Sequence, residues 1–257
     1  MLYRSFVFQK TEAVGIITLN RPAADNAVDV RLAEELGDIC ANINHGEEIK
    51  VVIITGAGEK AFSVGTDPDE LPAVVDGELE MRFLSVATPV ASLKNPVIAA
   101  INGDALGQGL ELALACDLRI AAETAHFALP HITRGLIPWD GATQRLSRLI
   151  GKAKAMEMIF TGQSIDSTEA YRIGLVNKIL PAKELLPTVI DMAQAMASKA
   201  CLALEYAKEA MHKGLDLTLE QGLHLEAGLY FLLQTTEDRT EGIRAFQEKR
   251  PPQFKGK

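Results

Sequence analysis

The apolar positions change period along the chain. Val14–Leu19 (VGIITL) is rich in β-branched residues and stops at Asn20-Arg21-Pro22, which predicts a strand running into a loop. From Asp29 to Ile43 the residues Val30, Leu32, Ala33, Leu36 and Ile39 recur at helical spacing, predicting a helix with one buried face. Val51–Thr55 (VVIIT) and Pro96–Ile101 (PVIAAI) are unbroken apolar runs, closed by Gly56-Ala57-Gly58 and Asn102-Gly103. Such runs predict strands covered on both faces, as in a parallel sheet. A helix is expected over Gly109–Cys116 and a short strand over Asp117–Ala121. This alternation points to α/β layering. Beyond residue 142 the pattern turns helical: Gln144–Ile150, Lys152–Phe160, Ser167–Ile173, Leu185–Met211 and Leu217–Leu233. Leu215, Leu219, Leu223, Leu229 and Phe231 give this late region more apolar surface than a solvated helix carries. Either the main core or another subunit must cover it, and a subunit contact is the favoured reading.

Composition narrows the class. With 257 residues, 47% hydrophobic and 23% charged, the chain can bury a core and does not read as disordered. The 26 basic and 34 acidic side chains leave a net charge of −8. That excludes a uniform nucleic-acid surface while leaving room for a local basic patch on an anionic small ligand. Three cysteines, Cys40, Cys116 and Cys201, have no paired spacing. A disulfide framework and a structural zinc site are thereby excluded, which suits a reducing cytoplasm. The opening MLYRSFVFQK carries no apolar core of signal-peptide length. The most apolar helical stretch, Leu106–Leu118, holds Glu111 and is too short to span a bilayer, so no membrane partner is expected.

Candidate chemistry gathers at two glycine turns. Asn102-Gly103-Asp104-Ala105-Leu106-Gly107-Gln108-Gly109-Leu110-Glu111 joins a buried strand to a helix. It is no phosphate loop, because no Lys-Ser/Thr follows, and no dinucleotide fingerprint, because the third glycine is missing. Taken by itself, this turn reads first as plain punctuation between strand and helix. A second turn, Phe62-Ser63-Val64-Gly65-Thr66-Asp67, follows the Val51–Gly58 strand. Two such turns could each aim a backbone N–H at one point, forming an oxyanion hole worth about 3–4 kcal/mol per donor. Glu111 interrupts the otherwise uncharged run LGQGLELALAC, so a solvated position is improbable and a catalytic base is the favoured reading.

Several segments together resemble the crotonase (enoyl-CoA hydratase/isomerase) superfamily: Leu19-Asn20-Arg21-Pro22 with Asn26-Ala27, both glycine turns, and Pro96–Gly103. Gly135-Leu136-Ile137-Pro138, Thr143-Gln144-Arg145-Leu146, Leu175-Val176-Asn177 and Ala245–Arg250 continue the match in order. The resemblance implies an α/β fold, a spiral of ββα units over residues 1–200 with a C-terminal helical trimerisation region over 201–257. It implies homotrimers or dimers of trimers, and an acyl-CoA thioester whose carbonyl sits between the N–H groups of Thr66 and Gln108. Glutamine at 108 departs from the family's usual glycine and intrudes toward the acyl group. Arg21, Ala24, Lys60, Asp67, Trp139 and Lys249 fall where the family contacts coenzyme A or the acyl chain. Coenzyme A enters as part of the substrate, with no metal or redox cofactor.

By the same resemblance Glu111 matches the first catalytic glutamate, whereas the position of the second is His131. Histidine can serve near neutral pH. Asp140, nine residues on, is expected to orient it, a pattern similar to the β-diketone hydrolase branch. Three activities stay open: hydration or isomerisation of an enoyl-CoA, carbon–carbon hydrolysis through His131 and Asp140, and acyl-CoA binding without catalysis. His45, in a polar loop, and His126, His212 and His224 read as structural or exposed.

Overall fold

A computed structural model describes residues 3–70, 73–75, 78–80 and 85–257, with side chains left undescribed at 73–75 and 78–80. In chain order it runs β1 (Phe6–Thr11), β2 (Val14–Leu19), α1 (Val30–His45), β3 (Val51–Gly56), β4 (Ala61–Ser63), β5 (Ala73–Val75), β6 (Glu78–Glu80) and α2 (Ala87–Ala91). Next come β7 (Val97–Ile101), β8 (Asp104–Leu106), α3 (Gln108–Ala115), β9 (Leu118–Ala122), β10 (His126–Ala128), α4 (Ala142–Ile150), α5 (Lys152–Thr161) and β11 (Ile165–Asp166). The chain closes with α6 (Ser167–Arg172), β12 (Lys178–Leu180), α7 (Ala182–Ala197), α8 (Cys201–Gly214), α9 (Leu219–Leu233) and α10 (Glu237–Glu248).

The large sheet has the order β1-β2-β3-β7-β9-β12, parallel except for the β1–β2 hairpin. A smaller sheet has the order β11-β10-β8-β4. Successive passes of the chain lay a long strand in the first sheet and a short one in the second: β3 then β4, β7 then β8, β9 then β10. The path is a spiral, as the family resemblance implies. The apolar runs explain why the large sheet sits in the middle. Ile17, Leu19, Val52, Ile54, Ala99 and Ile101 face one core with α1 and α3. Their neighbours Val14, Ile16, Val51, Ile53, Ile98 and Ala100 face a second core closed by Leu185, Val189 and Ala193 of α7. Alternate residues thus need apolar partners on both sides, which is why the runs are unbroken.

Two expectations are corrected. The helix expected over Leu185–Met211 is two helices, broken between α7 and α8, where the Ser198 N–H caps α7 on Gln194. His45 lies in the last turn of α1, not in a loop, its ring on the Ala41 carbonyl at 2.7 Å. Asp29 starts α1 by accepting from the Leu32 N–H. Among the described residues, no helix is long and apolar enough to cross a membrane.

Candidate active site

Three turns leave neighbouring strands of the small sheet. β4 runs into Val64-Gly65-Thr66, β8 into Gly107-Gln108, and β10 into Leu129-Pro130-His131. Because β4, β8 and β10 are parallel neighbours, their ends open on the same edge, the usual place for a site in such a sheet. The first two turns touch: a Cβ added to Gly65 would lie 2.8 Å from the Gln108 nitrogen. Gly107 has φ 52° and ψ −124°, a conformation that only glycine adopts without strain. Val28 donates to the Gly65 carbonyl and accepts from the Asp67 N–H, both at 2.8 Å. In extended backbone the intervening Thr66 N–H therefore points away from Val28. Gln108 opens α3, so its N–H lies outside that helix's own ladder. The side chains of the two residues also meet, Thr66 Oγ1 donating to Gln108 Oε1 at 2.9 Å.

Glu111 sits in the first turn of α3 and is wholly buried. Its Oε1 accepts from the backbone N–H groups of Asp140 (2.8 Å) and Ala142 (3.0 Å), the amides at the start of α4. Its Oε2 has no hydrogen-bond partner among the described residues and lies 3.7 Å from His131 Nε2. Burial pushes Glu111 up from 4.5 to about 7, against the pull of those two amides. Burial, with Arg134 nearby, holds His131 below its usual 6.5. Both groups are driven toward their neutral forms, so the short approach is a hydrogen-bonding opportunity rather than a fixed ion pair.

Asp140 and His131 are not a pair, contrary to the expectation. Asp140 Oδ1 accepts from Ser85 Oγ at 2.6 Å, and Oδ2 accepts from the Val86 (2.8 Å) and Ala87 (3.0 Å) N–H groups. Gln108 Nε2 donates to the same Oδ2 at 3.2 Å. The carboxylate is drawn to the open amides at the start of α2, while His131 Nδ1 is buried with no hydrogen-bond partner among the described residues. Carbon–carbon hydrolysis by an Asp-oriented histidine thus loses its geometric basis.

The enoyl-CoA hydratase/isomerase family model matches residues 9–257. The chain belongs to the enoyl-CoA hydratase/isomerase family. It is 38% identical to the crotonyl-CoA hydratase of Syntrophomonas wolfei over 257 residues, covering 99% of each chain. It is 38% identical to the short-chain-enoyl-CoA hydratase of Clostridium acetobutylicum over 253 residues, covering 97% of each. The crystal structure of an enoyl-CoA hydratase from Bacillus anthracis superposes with a TM-score of 0.92 at 42% identity, covering 99% of this chain and 100% of that one.

Members of this family act on acyl-CoA thioesters, and the residues expected to meet coenzyme A fall into several situations. Arg21 is spent internally, on Asp67 at 2.9 Å, Asp29 at 3.4 Å and the Ala27 carbonyl. Asp67 is thereby its partner rather than an open ligand group. Lys60 reaches Asp25 at 2.5 Å, its side chain 79% exposed, and Ala24 is half-buried in the 22–24 turn beside it. Trp139 is exposed next to Asp140, and Lys249 ends α10 with φ 54°. Sequence reasoning missed Ser85 and the bridging role of the Gln108 side chain. Only the departure from glycine at 108 hinted at it.

Proposed function

We propose that this protein hydrates short 2-enoyl-CoA thioesters. The observation that carries the reading is the unpartnered Oε2 of buried Glu111, facing His131 Nε2 beside the two glycine turns. A buried acceptor left open calls for a partner, and a water or a substrate carbon supplies it. In the proposed reaction the thioester oxygen rests between the Thr66 and Gln108 N–H groups. Glu111 Oε2 takes a proton from water as its oxygen bonds to C3, and charge moves to the thioester oxygen as an enolate. The carboxyl then returns a proton to C2, so one water is added across the double bond. His131 Nε2 orients that water. This proton traffic needs neither metal nor redox cofactor, coenzyme A being part of the substrate.

Lys60, with its exposed ammonium, is the cation we assign to the coenzyme A phosphates, joined by Lys249 from the tail. Arg21 and Asp67 stiffen the loop around Ala24, and Trp139 walls the acyl end. The names of the two hydratase relatives support a short acyl chain. We further infer a cytoplasmic homotrimer or dimer of trimers. Glu111→Gln should lower kcat for crotonyl-CoA by at least about 100-fold, the range for an acid–base group, with KM little changed. Mass spectrometry of wild-type products reads the gain of one water. Full turnover by Glu111→Gln, or thioester binding with no mass change on any enoyl-CoA, overturns the reading.

A further inference from the structure

A chain of side-chain hydrogen bonds crosses the site and serves none of the steps above. Thr66 Oγ1 donates to Gln108 Oε1, Gln108 Nε2 donates to Asp140 Oδ2, and Asp140 is fixed in turn by Ser85 and the amides of Val86 and Ala87. Gln108 and Asp140 are 1% and 5% exposed, so the bond between them forms out of water, where a partner lost leaves a polar group unsatisfied, while the links to Thr66 and Ser85 are part-buried. The ends of the chain are informative. At one end, Thr66 and Gln108 are the two residues whose backbone N–H groups would hold the thioester oxygen. At the other, the Asp140 backbone N–H holds Glu111 Oε1 at 2.8 Å.

We propose that the Gln108 side chain is a positioning brace, setting the gap between the two oxyanion amides and tying it through Asp140 to the Glu111 carboxylate. This rests on the hydratase reading for its meaning in catalysis. A glycine at 108 keeps the backbone N–H but reaches neither Thr66 nor Asp140. The gap would then be set by backbone packing alone. An error of about 1 Å in such a gap can cost on the order of 100-fold in rate, so the brace acts mainly on kcat.

The test combines kinetics with a measurement that needs no turnover. Gln108→Gly and Thr66→Val both leave the two amides in place, and Thr66→Val removes only the hydroxyl end of the brace. Each should lower kcat on crotonyl-CoA by about tenfold with KM within about twofold, between a negligible shift and the full misplacement cost. The thioester carbonyl stretch of bound butyryl-CoA, an unreactive saturated analogue, should move toward its free-solution frequency in both. Gln108→Gly/Asp140→Asn should lose no more than Asp140→Asn alone, because linked residues are not additive. Unchanged kcat and an unchanged carbonyl stretch in both single variants overturn the brace, as do losses that add in the double variant. If wild-type protein turns over no enoyl-CoA yet the stretch shifts as described, the brace stands and the hydratase reading falls.

Discussion

Glu111 carries two opposed demands. Catalysis needs its carboxylate ionised, while the apolar surroundings that hold it in place oppose the charge. With its value raised to about 7, hydration should climb as pH rises through 7, the rising limb of kcat/KM reporting the free enzyme. The same shift has a stability consequence of definite sign. A carboxyl that binds its proton more tightly folded than unfolded stabilises the fold fully below 4.5 and loses that contribution as pH rises through about 7. Between pH 5 and pH 8 the loss is on the order of 2–3 kcal/mol. Glutamine keeps an acceptor for the Asp140 and Ala142 amides without the charge, so Glu111→Gln should melt several degrees higher than wild type at pH 8 and close to it at pH 5. Calorimetric scans at the two pH values check this; a gap that does not widen with pH means the carboxyl is not desolvated as described.

At the scale of elements, the site exists because three strands of three residues each end side by side, and because α3 can dock directly on the first of them. That docking has no slack. A Cβ on Gly109 would lie 2.1 Å from the Ser63 carbonyl oxygen, so α3 would have to lift from β4 and carry Glu111 with it. Gly109→Ala should therefore cost about 3 kcal/mol or more, read as a lower urea midpoint at unchanged slope. Gly37, in α1 with nothing beyond its own turn of helix backbone within 4 Å of the added methyl, is the control: Gly37→Ala should gain about 0.5–1 kcal/mol. The contrast also marks what sequence could reveal. The long strands β3 and β7 were legible because burial on both faces leaves an unbroken apolar run. Strands as short as β4, β8 and β10 have too few residues to show a period: the glycine turns marked where the first two end without revealing the strands, and a short strand was read only around His126. Glu111 stood out as a charge inside an apolar helix. Asp140 was misread because its partners, Ser85 to Ala87, lie more than fifty residues earlier, where no local pattern points.

The whole molecule is held together unevenly. The spiral core is closed on both faces of the large sheet, whereas α8 is tied on by polar contacts, Lys208 and His212 reaching Asp117 at 2.8 and 3.0 Å. Beyond it, α9 packs on α8 and leaves much of its apolar surface in water: Leu219 is 80% exposed and Phe231 67%, while Phe246 of α10 reaches 86%. Leu219, Leu223 and Tyr230 recur at helical spacing and so share one face. Fully burying a side chain of this size stabilises by about 1.5–3 kcal/mol, so several such residues together supply enough driving force for a permanent contact. Apolar side chains clustered in this way on an exposed surface mark an interaction site. Sedimentation velocity at micromolar protein should therefore show a species heavier than one chain, and three times its mass if the proposed trimer forms. Leu219→Lys/Leu223→Lys, which puts two charges into that face, should release monomers that retain the far-ultraviolet dichroism of the parent. A wild-type chain that sediments as a monomer across that range would show that these side chains are covered by something other than a second copy.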